Sequence, residues 1–241
     1  MTSDPVYTDS KETMTSAQLA YLTTHLAGFS HRIVKVSSAR AVHELERGPG
    51  VCSTAILATP DREKILTFSK RRLPQPGFRL LVRKDRIAAL APAINGKGDI
   101  DLAKLQEIPS LLGGYTNSRR YGPAISDFIE HYDKGRLNGE VATFQVINLL
   151  EKQRIDFAFV LPMDFYFYVE DDARSQNVLL PVVGETREIM VGIACTADPA
   201  GQAVMRAIDT LLADDAHWAE YVEPLRKWNS PEDFEALRAS H

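Results

Sequence analysis

Helical and strand-like spacings of apolar residues alternate along the first half of the chain. Leu19, Leu22 and Leu26 recur at helical intervals, so residues 16–28 are expected as a helix ending at Gly28. The stretch "RIVKVSS" alternates apolar and polar positions and reads as a strand. "SARAVHELERGPG" reads as a helix, with Ser38 as its cap and Gly48-Pro49-Gly50 as its stop. An apolar, β-branched run from Thr54 to Ala58 predicts a short buried strand. Thr59 can cap the helix that follows, Pro60 suits its first turn, and Asp61 and Glu63 complement its positive end. "FRLLVRKD" is the next strand. Such alternation predicts an α/β architecture with a mainly parallel sheet.

A second cycle follows "PAINGKGDI". "DLAKLQEIPS" is patterned as a helix, "LLGGYTN" as a strand end and turn, and "RRYGPAISDFIEHYDKG" and "EVATFQVINLLEKQR" as helices. "IDFAFVLP" holds a buried strand stopped by Pro162. The aromatics Phe165, Tyr166, Phe167 and Tyr168 either clothe a strand or stack a planar ligand, and the strand is favoured. "NVLLPVV" and "REIMVGIACTADP" are strands, and the tail from Pro199 is helical. Neither repeats nor low-complexity tracts interrupt the pattern.

Composition narrows the function. The 241 residues are 25% charged and 44% hydrophobic, ordinary values for a folded protein. The net charge of -4 argues against a nucleic-acid partner, since the basic pairs Arg71-Arg72 and Arg119-Arg120 are too short to form a patch. No run is long and apolar enough to span a bilayer, and the polar start lacks the apolar core of a signal peptide. Cys52 and Cys195 are either two buried thiols or a disulfide. His25, His31, His43, His131, His217 and His241 show no paired metal-ligand spacing, so neither a metal nor a cofactor is expected. "GGYTN" lacks the lysine of a phosphate-cradling loop, and there is no Gly-x-Ser-x-Gly elbow.

Arg62 is out of place in the first turn of a helix, where a cation gains nothing from the dipole. It either pairs with Asp61 or Glu63 at the surface, or it serves a ligand. The stretches "HELERGPGVCSTAILATPDREKILTFSKR", "FRLLVRKD", "GGYTNSRRYGPAISDFI", "LLEKQRIDFAFVLP" and "MVGIACTADPAGQAVMRAIDTLLAD" together resemble the type II periplasmic solute-binding proteins, especially those for amino acids. The resemblance covers most of the chain. It implies two α/β lobes joined by a two-strand hinge, lobe one from residues 1–76 plus 190–241 and lobe two from 77–189. It also implies a ligand in the cleft between the lobes and closure upon binding. The family opens on a strand that has only "DPVYT" as its counterpart here, so the first strand of lobe one is expected to be missing. A slot left by that strand would invite homodimer pairing.

Under the resemblance Arg62 grips a ligand α-carboxylate, a task suited to the planar donor fork of a guanidinium. Ser53, Thr54 and Thr59 accompany it on lobe one. Thr116, Ser118, Arg119 and Tyr121 form the wall from lobe two, where Thr116, Asn117 or Ser118 also suit a helix cap. Ala55 and Leu57 take places that the family gives to small hydroxyl residues. The acid that holds a ligand ammonium is replaced near Leu161, with Asp164 three residues on. The ligand is therefore an amino acid, another small anion or an aromatic compound. The implied partner is a membrane transporter or receptor, in the periplasm or another extracytoplasmic space. The alternatives are a sensor or orphan domain, or an enzyme like the cyclohexadienyl dehydratases, with Asp164 or Glu170 as its acid.

Overall fold

The computed structural model describes residues 14–26, 28–34, 36, 38–116, 119, 121–132 and 142–240. In chain order these form α1 (Met14–His25), α2 (Ser38–Arg47), β1 (Cys52–Leu57), α3 (Pro60–Glu63), β2 (Leu66–Phe68) and β3 (Leu73–Pro76). Then come β4 (Arg79–Arg83), α4 (Ile87–Leu90), α5 (Leu102–Glu107), β5 (Gly113–Gly114), α6 (Pro123–His131), α7 (Thr143–Glu151), β6 (Phe157–Val160), α8 (Pro162–Tyr168), α9 (Asp171–Arg174) and β7 (Asn177–Pro181). The chain closes with β8 (Glu188–Thr196), α10 (Pro199–Leu212), α11 (Asp215–Val222) and α12 (Pro231–Arg238). Two compact units result. Unit 1 is Met1–Gln75 with Ile189–His241, and unit 2 is Pro76–Glu188.

The sheet of unit 1 is built on β8. Strands β1 and β2 flank it, both antiparallel to it, and β3 also pairs with it. Leu45, Ile56, Leu66 and Ala194 form a small core, with Val51 and Phe68 packed against it. Cys52 and Cys195 are direct cross-strand partners of β1 and β8 and form a disulfide between positions 143 residues apart. This resolves the choice left open by the two cysteines. Just beyond the bridge, Asp198 caps α10 through the amides of Ala200 and Gly201 and also accepts from the Gly50 amide at 2.9 Å. Gly50 itself has φ +63°, a left-handed turn that glycine adopts without penalty.

In unit 2 the strand order is β5-β6-β4-β7. Side chains of a strand alternate between the two faces of a sheet, and here each face finds its own cover. Leu80, Val82, Phe157 and Phe159 face one core with Leu105, Ile125 and Phe128 from α5 and α6. Leu81, Ala158 and Val160 face the other, with Val146, Ile147 and Leu150 of α7 and Phe165 of α8. Burial on both faces explains why "RLLV" and "FAFV" read as continuous apolar runs. Gly122 permits another close approach. A side chain there would collide with the Glu185 carboxylate, which accepts from the Ile125 amide at 2.8 Å and caps α6 from across unit 2.

Three expectations need correction. The sheets are not mainly parallel: β1 and β2 pair antiparallel with β8, and β6 and β7 antiparallel with β4, while β5 and β6 form a parallel ladder. The strands β1 and β2 run the same way, as do β5, β6 and β7, but β8 and β4 are inserted between them and run opposite. The chain passes from unit 1 to unit 2 within β3 and returns within β8, a route that helix–strand alternation does not reveal. Second, "RIVKVSS" forms no strand among its described residues, and Ile33, Val34 and Val36 are exposed; a strand-like pattern is not stable in water unless it joins a sheet. Third, Phe165 to Tyr168 lie on helix α8, begun by Pro162 and an Asp164 carboxylate that accepts from the Leu161 amide. The "DPVYT" segment and Ser118 lie outside the described residues.

Two predictions follow from unit 1. Replacing both Cys52 and Cys195 by serine should lower the unfolding free energy by ~4–5 kcal/mol if chain entropy dominates, measured by urea denaturation with and without reductant. Asp198 titrates below the ordinary carboxylate range, chiefly because it accepts from the Thr196 hydroxyl and then from the Gly50 and Gly201 amides. With a depressed folded pKa, its contribution is complete above the unfolded value near 3.8 and is lost as pH falls below it. Asp198→Asn should therefore melt earlier than the parent at pH 7, and the gap should shrink as the pH is lowered through 4 and below.

Candidate ligand-binding site

In unit 2 the functional side chains gather around the turn after β5. The Thr116 amide donates to the Tyr121 hydroxyl at 2.8 Å, which closes the turn. The Tyr121 ring lies 4.7 Å from that of Phe78 and 6.3 Å from that of Phe159, so the turn is anchored on the aromatic core. Burial raises the Tyr121 pKa, while the Thr116 amide and the Arg119 charge pull it back. The phenol therefore stays protonated at neutral pH and keeps both its donor and its acceptor capacity.

Arg119 is the centre of the cluster. Its guanidinium donates to both oxygens of Asp164, at 2.5 and 3.4 Å, and to the Thr143 hydroxyl at 3.1 Å. The Thr143 hydroxyl in turn lies 3.3 Å from that of Thr116. The guanidinium carbon stands 5.5 Å from the centre of the Phe78 ring, a cation–π distance. Burial disfavours the Arg119 charge, but the Asp164 carboxylate outweighs burial and the pKa rises above its ordinary value. The pair is only partly withdrawn from water, with 24% of the Arg119 side chain and 12% of the Asp164 side chain exposed. A fork-and-carboxylate pair, two hydroxyls and an aromatic face thus meet in one patch.

In unit 1 the expected residues meet at the end of β1. Thr59 caps α3 by accepting from the Arg62 amide, and the Arg62 guanidinium donates to the Leu57 carbonyl at 3.0 Å. Arg62 is half-buried and folds back on the end of its own strand. Its neighbouring acids are engaged elsewhere, Glu63 with Arg72 at 2.5 Å and Asp61 with Lys64 at 2.9 Å. Strand β1 carries a bulge, since Thr54 and Ala55 together oppose a single residue of β8. Ala55 takes φ +57°, a left-handed conformation that costs a non-glycine residue about 1 kcal/mol. Thr54 is 2% exposed, and its hydroxyl has no hydrogen-bond partner among the described residues. The Ser53 hydroxyl donates to the carbonyl of Thr54 at 3.3 Å.

The patterns in the sequence did not single out Thr143 or Phe78, and they left Asp164 doubtful. Asp164 accepts from both Arg119 nitrogens and from the Leu161 amide, whereas Glu170 is an exposed residue at the start of α9. The signal that could have flagged Asp164 is an acid in the first turn after Leu161-Pro162, where it serves as a cap. Among the described residues, three metal-ligand side chains also come together in unit 1, namely His25, His217 and Glu220.

No protein-family model matches the chain, and no curated protein matches it in sequence. Solved structures do. An amino-acid ABC-transporter substrate-binding protein from Streptococcus pneumoniae, bound to L-arginine, matches with TM-score 0.63 at 14% identity, over 95% of this chain and 87% of that one. The GluR0 ligand-binding core in complex with L-glutamate matches with TM-score 0.59 at 12% identity, over 92% and 91%. The BvgS VFT2 domain from Bordetella pertussis matches with TM-score 0.59 at 14% identity, over 92% and 87%. The chain has the two-lobed fold of the type II solute-binding proteins. The amino-acid ABC-transporter proteins among these solved structures are substrate-binding proteins.

The Arg119–Asp164 contact is testable as a coupled pair. Asp164→Asn should cost about 2–3 kcal/mol, because it leaves a half-buried guanidinium without its countercharge. Replacing both residues by apolar ones of similar size should cost less than that single change, as a double-mutant cycle in urea would show.

Proposed function

We propose that this protein is a non-enzymatic binder of a small solute carrying a carboxylate, most simply an amino acid. The observation that carries the reading is the Arg119–Asp164 pair beside the hydroxyls of Thr116 and Thr143 and the rings of Tyr121 and Phe78. A zwitterion suits such a patch. Its carboxylate can take the donor fork of Arg119 and its ammonium the carboxylate of Asp164, so every charge keeps a partner when the pair opens. The aromatic face then meets the apolar part of the solute. In unit 1, Arg62 with Ser53, Thr54 and Thr59 is proposed as a second set of ligand contacts. The buried Thr54 hydroxyl supports this, since such a group is usually bonded.

Solved structures with the same fold include substrate-binding proteins of amino-acid ABC transporters and a ligand-binding core in complex with L-glutamate. Their likeness supports presentation of the solute to a membrane transporter or a receptor. The Cys52–Cys195 disulfide supports an oxidising, extracytoplasmic location.

Thermal-shift screening of the amino acids and small organic acids, followed by calorimetry on each hit, tests the reading. We expect one chemical class to raise the melting temperature. Arg119→Lys, which keeps the charge and loses the fork, should weaken that class about tenfold or more, and so should Arg62→Ala. A broad screen without a hit would overturn the proposal. Parent-like affinity in the Arg119 variant would do so too.

A further inference from the structure

We propose that His25, His217 and Glu220 form a site for a divalent transition-metal ion of the zinc class, which fastens helix α1 to helix α11. One ligand atom from each of the three residues lies within 4.8 Å of the others. His217 and Glu220 are three residues apart on α11 and so share a helix face, while His25 is the last residue of α1. Ligand atoms on a tetrahedral ion with bonds of ~2.0–2.1 Å stand roughly 3.3 Å apart. His25 and Glu220 are exposed and His217 is half-buried, so small side-chain rotations can close the difference.

The surroundings prepare both imidazoles for coordination. His25 Nδ1 lies 2.9 Å from the Tyr21 carbonyl oxygen, which can only accept. That contact places the proton on Nδ1 and leaves the lone pair on Nε2. The Tyr21 hydroxyl lies 2.7 Å from His217 Nδ1 and donates to Glu220 Oε2 at 3.3 Å. With its proton directed to Glu220, the Tyr21 oxygen accepts from His217 Nδ1, so Nε2 is again the coordinating nitrogen. The Tyr21 ring also stacks on His25 at 4.1 Å, and the two imidazoles meet edge to face at 5.4 Å. A hydrogen-bond acceptor on the far nitrogen of each ligating histidine is the usual support of a zinc site, and Tyr21 supplies both, its carbonyl to His25 and its hydroxyl oxygen to His217. Two neutral imidazoles and one carboxylate favour Zn²⁺, Co²⁺, Ni²⁺ or Cu²⁺ over the hard, oxygen-seeking Mg²⁺ and Ca²⁺.

The test uses the untagged 241-residue chain, freed of metal by a chelator. Calorimetry with Zn²⁺ should show one bound ion at micromolar affinity. Co²⁺ should give the visible absorption of a low-symmetry nitrogen–oxygen site. Zn²⁺ should raise the melting temperature, a chelator should reverse it, and Mg²⁺ at equal concentration should do nothing. His25→Gln and Glu220→Gln, at exposed positions, should each weaken Zn²⁺ about tenfold or more, and His217→Gln likewise, whereas His43→Gln should bind as the parent does. Absence of stoichiometric binding, or parent-like affinity in the His25→Gln/His217→Gln double variant with its circular dichroism unchanged, would overturn the proposal.

Discussion

Unit 1 depends on β8. This strand hydrogen-bonds to β1 on one side and β2 on the other, and β3 pairs with it as well. Segments separated by more than half the chain therefore share a single ladder, and the Cys52–Cys195 bridge locks the register at the point where β1 meets β8. Ala194 and Cys195 are fully buried, so the strand also supplies the centre of the core. The Asp198 carboxylate, two residues past the end of the strand, ties the start of α10 to the Gly50 turn that leads into β1. Bridge, ladder and cap thus hold the same junction by covalent, backbone and charge-assisted bonds.

Unit 2 solves a different problem, that of a guanidinium close to an aromatic core. Desolvation alone would make Arg119 costly. Asp164 offsets it, and Thr143 and the face of Phe78 take further parts of the donor fork. Tyr121 fixes the turn that carries Arg119 by accepting from the Thr116 amide. The polar patch is accordingly held by the same aromatics that build the core.

Much of the local structure was legible in the order of residues. Thr59 and Pro60 at the start of α3 and Gly50 as the stop after α2 act through neighbours in the chain. Arg62 stood out because a cation in the first helical turn needs a reason, and its guanidinium does find a nearby acceptor, the Leu57 carbonyl. The run Phe165 to Tyr168 misled. Its composition suits a strand, but Pro162 and the Asp164 carboxylate start a helix there, and Phe165 then reaches the core.

Spacings of a few residues specify the α/β class, the starts of α2, α3 and α10, and the apolar faces of unit 2. The tertiary structure decided strand direction, the pairing of Arg119 with Asp164 45 positions on, the disulfide, and the approach of Tyr21 to His217 across 196 positions. Those contacts are chosen by which faces pack together. Burial and ladder geometry fix that choice for the whole chain at once, and no local pattern of residue types encodes it.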